Sequence, residues 1–199
     1  MEETSWALNR SLDNPFARPR GLRGRLAGRF MAVVGGRTSG EVAALLALRP
    51  RDTVLEVGYG PGTLLAALAQ RPERPVLVGV DPSAEMAELA ARRVGQAELR
   101  LGTAAETRLP DASVDHAVSV NNVAIWPDLD AGLDELCRVV RPGGTVLLAW
   151  HGVTARSRIS RSLALSTDAW RRIEVGLAAR CARVGRVVLT DVEVAQAVR

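Results

Sequence analysis

The sequence contains no lysine; all 26 of its basic residues are arginine. Uniformity of this kind points to coding bias rather than to selection for nucleic acid. Cysteine occurs only at Cys137 and Cys181. Their wide spacing excludes a disulfide-dense scaffold and a Cys-x-x-Cys metal knuckle, and reads as reduced thiols of a cytoplasmic protein. Aromatic residues make up 4% of the chain and do not cluster among the arginines. That weighs against a surface built to stack bases. No stretch approaches the roughly 20 apolar residues of a membrane span. The opening Met1-Glu2-Glu3-Thr4 is acidic and lacks the apolar core of a signal peptide.

What remains is a chain of 199 residues, 47% hydrophobic and 24% charged. This is enough to build one domain around a substantial core. Charge is unevenly distributed. Residues 1–37 carry seven Arg against Glu2, Glu3 and Asp13, residues 38–150 are net acidic, and residues 151–199 carry nine Arg against four acids. An acidic centre between basic flanks is compatible with an anionic partner and equally with a solvated surface.

The most informative stretch is Val54-Leu55-Glu56-Val57-Gly58-Tyr59-Gly60-Pro61-Gly62. Thr53 to Val57 reads as a buried strand, and Thr63 to Gln70 as a helix. Between them glycine recurs at every second position, where a Cβ would block a ligand from the backbone and positive φ is common. Strand, glycine turn and helix hold nucleotides at the carboxyl edge of a parallel sheet. The spacing is not the Gly-x-Gly-x-x-Gly of a dinucleotide site, and an acid, Glu56, stands two residues before the first glycine. The plain alternative is a tight turn with no ligand. A second strand, Val76 to Val80, ends at Asp81, where a carboxylate can accept both ribose hydroxyls. Ser83 is the expected cap of a helix from Ala84 to Val94.

The run Glu56-x-Gly58-x-Gly60-x-Gly62, together with Gly79-Val80-Asp81-Pro82-Ser83-Ala84-Glu85-Met86, resembles the first two motifs of the class I S-adenosylmethionine-dependent methyltransferases. The likeness covers roughly residues 50–150. It implies an α/β fold, a doubly wound, mostly parallel sheet with helices on both faces. It also implies S-adenosylmethionine as methyl donor, S-adenosylhomocysteine as product, and no metal. Carried over residue by residue, the donor contacts are Glu56, Gly58, Tyr59, Gly60, Gly62, Asp81, Pro82, Met86, Thr103, Ala104 and Asn121. Thr103 stands where the family usually has an acid that binds the adenine amino group, which puts the strength of that contact in question. Asn122 and Trp126 are candidates for the substrate side, although Trp126-Pro127-Asp128 reads equally well as a packed aromatic and a helix cap. His151, at the end of a strand from Thr145 to Trp150, is the one candidate general base.

Further strands are expected at Glu98–Leu101 and His116–Val120, with helices at Gly40–Leu48, capped by Ser39, and Leu129–Val140. Gly21–Val34 has weak amphipathic spacing and is expected to be a lid. The domain reading is a single unit over 1–199: an N-terminal helical lid to residue 50, a cofactor-binding core over 51–151, and a substrate cover with a final strand over 152–199. Only one terminal strand, Val187–Val194, stands out, so the sheet is expected to lack its last antiparallel strand, and an exposed edge would favour a homodimer. The function implied is methyl transfer to O, N or C of a small molecule. The alternatives are a non-methylating cofactor binder, cyclase-like or an interaction partner, and a nucleic-acid methyltransferase.

Overall fold

The computed structural model describes residues 5–7 and 36–199; the expected helix Gly21–Val34 lies outside them. One sheet of seven strands runs β3-β2-β1-β4-β5-β7-β6. β1 (Thr53–Val57) lies beside its central strand, pairing in parallel with β2 (Val76–Asp81) on one side and with the central β4 (Val114–Val120) on the other. β3 (Glu98–Leu101) continues one wing, and β5 (Val140–His151) the other. A central parallel strand is covered on both faces, which is why β1 is a continuous apolar run instead of an alternating one. Because the chain winds outward in both directions from β1 and β4, a crevice opens at the carboxyl ends of these two strands.

Helices cover both faces. On one, α1 (residues 36–45), α2 (Thr63–Ala69) and α3 (Ala84–Arg93) bury Val42, Leu64, Leu65, Leu68 and Met86 against Val118, Leu147 and Val194. On the other, α4 (Leu129–Val139) and α6 (Thr167–Ala178) bury Leu133, Leu136, Trp170 and Ile173 against Val146 and Leu148. A short helix, α5 (Arg158–Ser162), lies between β5 and α6. No helix among the described residues is long and apolar enough to cross a membrane.

The seventh strand corrects the expectation of a missing one. Val187–Val194 is not a strand but a hairpin: β6 (Arg183–Val188) and β7 (Val192–Val198) are antiparallel, and the Leu189 N–H closes the turn on Val192 O at 2.8 Å. β7 is the buried antiparallel member beside β5. β6 escapes the sequence pattern because, as an edge strand, it carries Arg183 and Arg186 and buries little. Charged residues of this kind blunt an edge against unwanted pairing, so the argument for a dimer from an unfilled edge loses its premise.

Two boundaries also move. Ser39 is a buried residue inside α1, not its cap. His116 is the third residue of β4 rather than the first. Its Nε2 lies 3.0 Å from Asp52 Oδ2, while Asp115 accepts the Thr53 N–H at 2.6 Å and pairs with Arg141. These groups close the amino edge of β1 and β4, the end opposite the crevice. His116 is therefore structural.

Candidate functional site

The glycine turn takes the backbone through positive φ three times, +73° at Gly58, +50° at Gly60 and +77° at Gly62. The three glycines do different work. The Gly58 N–H bonds Val80 O at 2.7 Å, tying the turn to β2, and a Cβ at Gly58 would overlap the side-chain amide of Asn122. At Gly62, the residue capping α2, a Cβ would lie 3.1 Å from Ala90 Cβ, so its lack of side chain lets α2 pack against α3. At Gly60 a Cβ would meet nothing within 4 Å. Gly60 thus faces open space, and its own backbone is the surface there.

Asp81 joins the turn to the end of β2. Its Oδ2 accepts the Gly60 N–H at 2.9 Å and its Oδ1 accepts the Ser83 N–H at 2.9 Å. A carboxylate offers about four lone-pair positions, so each oxygen retains capacity for a further donor. Burial pushes the Asp81 carboxyl up to about 6, and the Ser83 and Gly60 N–H groups pull the other way. Ser83 caps α3 by accepting from Met86 N. Glu56, on β1, is buried with Oε2 unpartnered, and its pKa is raised well above the ordinary value by burial, with the Asp81 charge adding to it. Tyr59 is 1% exposed with its hydroxyl unpartnered, and its pKa is raised first by burial and then by Asp81 and Glu56. The turn therefore rests on a buried acidic pair with spare acceptors. Pro82 is exposed beside Asp81, whereas Met86 is 1% exposed and packs in the core among Leu64 and Leu65.

After β3 the chain makes a tight turn in which Thr103 and Glu106 exchange both backbone hydrogen bonds at 3.2 Å. Thr103 is exposed and Ala104 is buried. The Gly102 N–H bonds Asp81 O at 3.2 Å, which hangs this turn on the end of β2. From below it is held by Glu135 of α4, whose Oε1 accepts from Thr107 N at 2.8 Å and from Thr107 Oγ1 at 2.6 Å. Hydrogen bonding by Arg138, set against burial and helped by Thr107, draws the Glu135 carboxyl down to about 2.

At the end of β4, Asn121 adopts φ +51°, a left-handed conformation uncommon for a side-chain-bearing residue, and its N–H bonds Ala149 O at 2.8 Å. Its Oδ1 is buried without a partner. Backbone strain and an unsatisfied acceptor in one residue at a crevice are features that cluster at ligand sites. Asn122 follows, and its Oδ1 accepts from Trp126 Nε1 at 2.6 Å. Trp126 is 3% exposed, and a Cβ on Gly132 of α4 would lie 2.5 Å from its ring. Gly132, Trp126, Asn122 and Gly58 thus form one packed series from α4 to the glycine turn. Trp126 faces the core rather than the crevice. Asp128 caps α4 by accepting from Ala131 N at 3.1 Å.

His151 ends β5, two residues beyond the Ala149 carbonyl that takes the Asn121 N–H. It is half-buried, and burial lowers its pKa while the nearby Asp191 opposes the shift. Its ring meets Trp150 edge-on at 5.3 Å between centroids.

The fold therefore brings Gly58, Gly60, Asp81 and Asn121 to one crevice, with Glu56 and Tyr59 beneath it and Thr103 and His151 at the ends of neighbouring strands. Gly62, Met86 and Trp126 are packing residues. Several supports carry no sequence signal, because their partners lie far away in the chain. Ser5 Oγ bonds Ala124 O and Trp6 Nε1 bonds Val123 O at 2.8 Å, pinning Ser5 and Trp6 to the short turn Val123–Ile125 after Asn122. Glu41 of α1 accepts from Thr190 N at 3.2 Å and Thr190 Oγ1 at 2.8 Å, and Asp191 accepts from Arg156 N at 2.8 Å, so the β6–β7 turn holds both α1 and the segment after β5.

Residues 54–144 match a methyltransferase domain family. An uncharacterized methyltransferase of Bacillus subtilis, YdaC, is 36% identical over 121 residues, 60% of this chain and 67% of that protein. The uncharacterized methyltransferase Rv3342 of Mycobacterium tuberculosis is 40% identical over 98 residues, 49% of this chain but only 39% of its own length. The chain therefore spans between about two fifths and two thirds of these relatives. Among solved structures, an O-methyltransferase family protein from Burkholderia thailandensis superposes with a TM-score of 0.74 at 17% identity, over 94% of this chain and 62% of that one.

Proposed function

Because the chain belongs to the class I S-adenosylmethionine-dependent methyltransferases, we propose that the crevice at the carboxyl ends of β1, β2 and β4 holds the methyl donor, and that the methyl group passes to O, N or C of a small molecule. The observation that carries the assignment is Gly60, whose open side is bordered by Asp81 through their hydrogen bond. The residues fit the donor. The spare acceptors of Asp81 suit the two ribose hydroxyls, the bare backbone at Gly60 suits the amino-acid end, and Asp81, ionised above about 6, supplies negative potential for a cation. The unpartnered Asn121 Oδ1 is a further acceptor for its polar groups. Thr103 and Ala104 border the adenine end, where Pro82 offers an exposed apolar surface and the charge assistance of an acid is absent. When bound, S-adenosylmethionine supplies an electrophilic methyl group on a sulfonium.

The protein's contribution is then alignment. Holding two reactants in line supplies about 7–11 kcal/mol, more than the roughly 3–5 kcal/mol of a general base. Residues 152–199 serve in part as the acceptor cover. His151, neutral above its lowered pKa, takes the proton from an O or N acceptor. His151→Ala is expected to slow methyl transfer by about 10²- to 10⁴-fold with donor affinity unchanged. A rate within about threefold of wild type removes the base role and leaves positioning alone.

Donor affinity should depend on pH through Asp81. Protonation turns one acceptor oxygen into a donor, so binding weakens as pH falls through about 6 and is level above about 7.5. Titrations at both ends of that range check this. The small-molecule reading is supported by basic flanks without clustered aromatics. It is tested by methyl incorporation into acceptor mixtures and by RNA and DNA binding against salt. Steeply salt-dependent binding would favour nucleic acid instead.

A further inference from the structure

Cys137 and Cys181 lie 44 positions apart in the chain, yet the fold brings their sulfurs to 3.5 Å. We infer that they form a reversible dithiol–disulfide site, fastening α4 to the end of α6 when a peroxide oxidises them. The approach results from how these helices pack. They run side by side in the same direction, with Arg180 bonded to Asp134 at 2.6 Å and to Asp130 at 3.2 Å. Gly176 of α6 sits so close that a Cβ there would lie 2.5 Å from Leu133 Cδ1 of α4. That contact draws the helices together and sets the two thiols opposite each other. Closing them to a bonded length of about 2.05 Å requires a side-chain movement of about 1.5 Å.

The two thiols differ in a way that divides the reaction between them. Cys137 is 6% exposed, and burial, reinforced by Cys181, pushes its thiol up to about 12. It is the thiol shielded from solvent. Cys181 is half-buried beyond the end of α6, the more accessible of the two. An accessible thiol is the one that meets oxidants, and a second thiol in contact resolves the product. The Cys181 sulfur attacks one oxygen of hydrogen peroxide, the O–O bond breaks, and water leaves, giving a sulfenic acid. The Cys137 sulfur then attacks the Cys181 sulfur; the S–O bond breaks, and the hydroxyl leaves as water with the Cys137 proton. Two thiols and one peroxide yield one disulfide and two waters.

The bridge would enclose β5, α5 and α6 in one loop. Cys137 lies two residues before α4 gives way to β5 at Val140, at the amino edge of the sheet and away from the crevice. Oxidation should therefore act on stability and leave the donor site alone.

The test treats the folded wild-type protein with hydrogen peroxide, alkylates remaining thiols and measures intact mass, thermal midpoint and S-adenosylhomocysteine affinity. The expected result is a loss of about 2 Da with no alkylation, and a midpoint raised by about 5 °C or more. Affinity should change less than twofold, and a dithiol reductant should reverse the mass and midpoint changes. Cys181→Ser should show neither change. Two alkylated thiols after treatment would overturn the inference, as would an oxygen addition of about 16 Da that peptide mapping places on a cysteine rather than on a methionine, or a bridged protein with an unchanged midpoint.

Discussion

Gly60→Ala is expected to weaken S-adenosylmethionine binding by at least about 30-fold, which corresponds to about 2 kcal/mol, with a loss of stability limited to the backbone cost of its positive φ. Gly58→Ala is expected to lose more stability and less affinity. Both residues have positive φ, so each alanine pays a backbone cost of roughly 1–2 kcal/mol. They differ in what the new methyl group meets. At Gly60 it meets nothing within 4 Å and projects into the space assigned to the ligand. At Gly58 it collides with the Asn122 amide, which Trp126 holds from behind. Overpacking of this kind adds about 1–3 kcal/mol, so the Gly58 variant should lose roughly 5–15 °C in thermal midpoint. Thermal melts alongside calorimetric titration separate the two. Equal affinity losses with equal melting shifts would mean that Gly60 serves only the turn.

Trp126→Ala is expected to be the most destabilising single change around the site. The ring is 3% exposed and packs on Gly132. Removing it leaves a cavity worth about 3–5 kcal/mol and takes away the donor to Asn122. Trp126→Phe isolates the second effect, because it fills most of the volume but cannot bond Asn122 Oδ1. That variant should lose about 1–3 kcal/mol from the orphaned acceptor. Its donor affinity should also fall by about tenfold, since Asn122 no longer braces Gly58. If Trp126→Phe lowers the melting point but leaves the affinity intact, the tryptophan supports the fold without positioning the turn.

Local pattern made much of this legible. The apolar run of β1 and the alternate glycines adjoin in the chain, and the acid ending β2 follows one helix later, so consecutive elements alone bring these residues to one crevice. The rest was hidden because it depends on distant partners. From sequence Trp126 reads equally as a substrate-side residue and as a packed aromatic before a helix cap; the packed position follows from Gly132, on the next helix, which opens a core pocket for the ring. Met86 follows the same logic, turned inward by its place on α3. β6 was missed because an exposed, arginine-bearing edge strand has little hydrophobic alternation to read. Nothing in the local sequence could bring Glu135 to Thr107 or Thr190 to Glu41.

The measurement that tests the central claim most directly is calorimetric titration of the wild-type protein and Asp81→Ala with S-adenosylmethionine and S-adenosylhomocysteine at neutral pH. Hydrogen bonds to a charged group contribute about 1.5–3 kcal/mol each. The account therefore predicts micromolar binding by the wild type and a loss of at least about 100-fold in the variant, with its fold retained. A folded wild-type protein that binds neither ligand, or an Asp81→Ala variant that binds both as tightly as wild type, would contradict it.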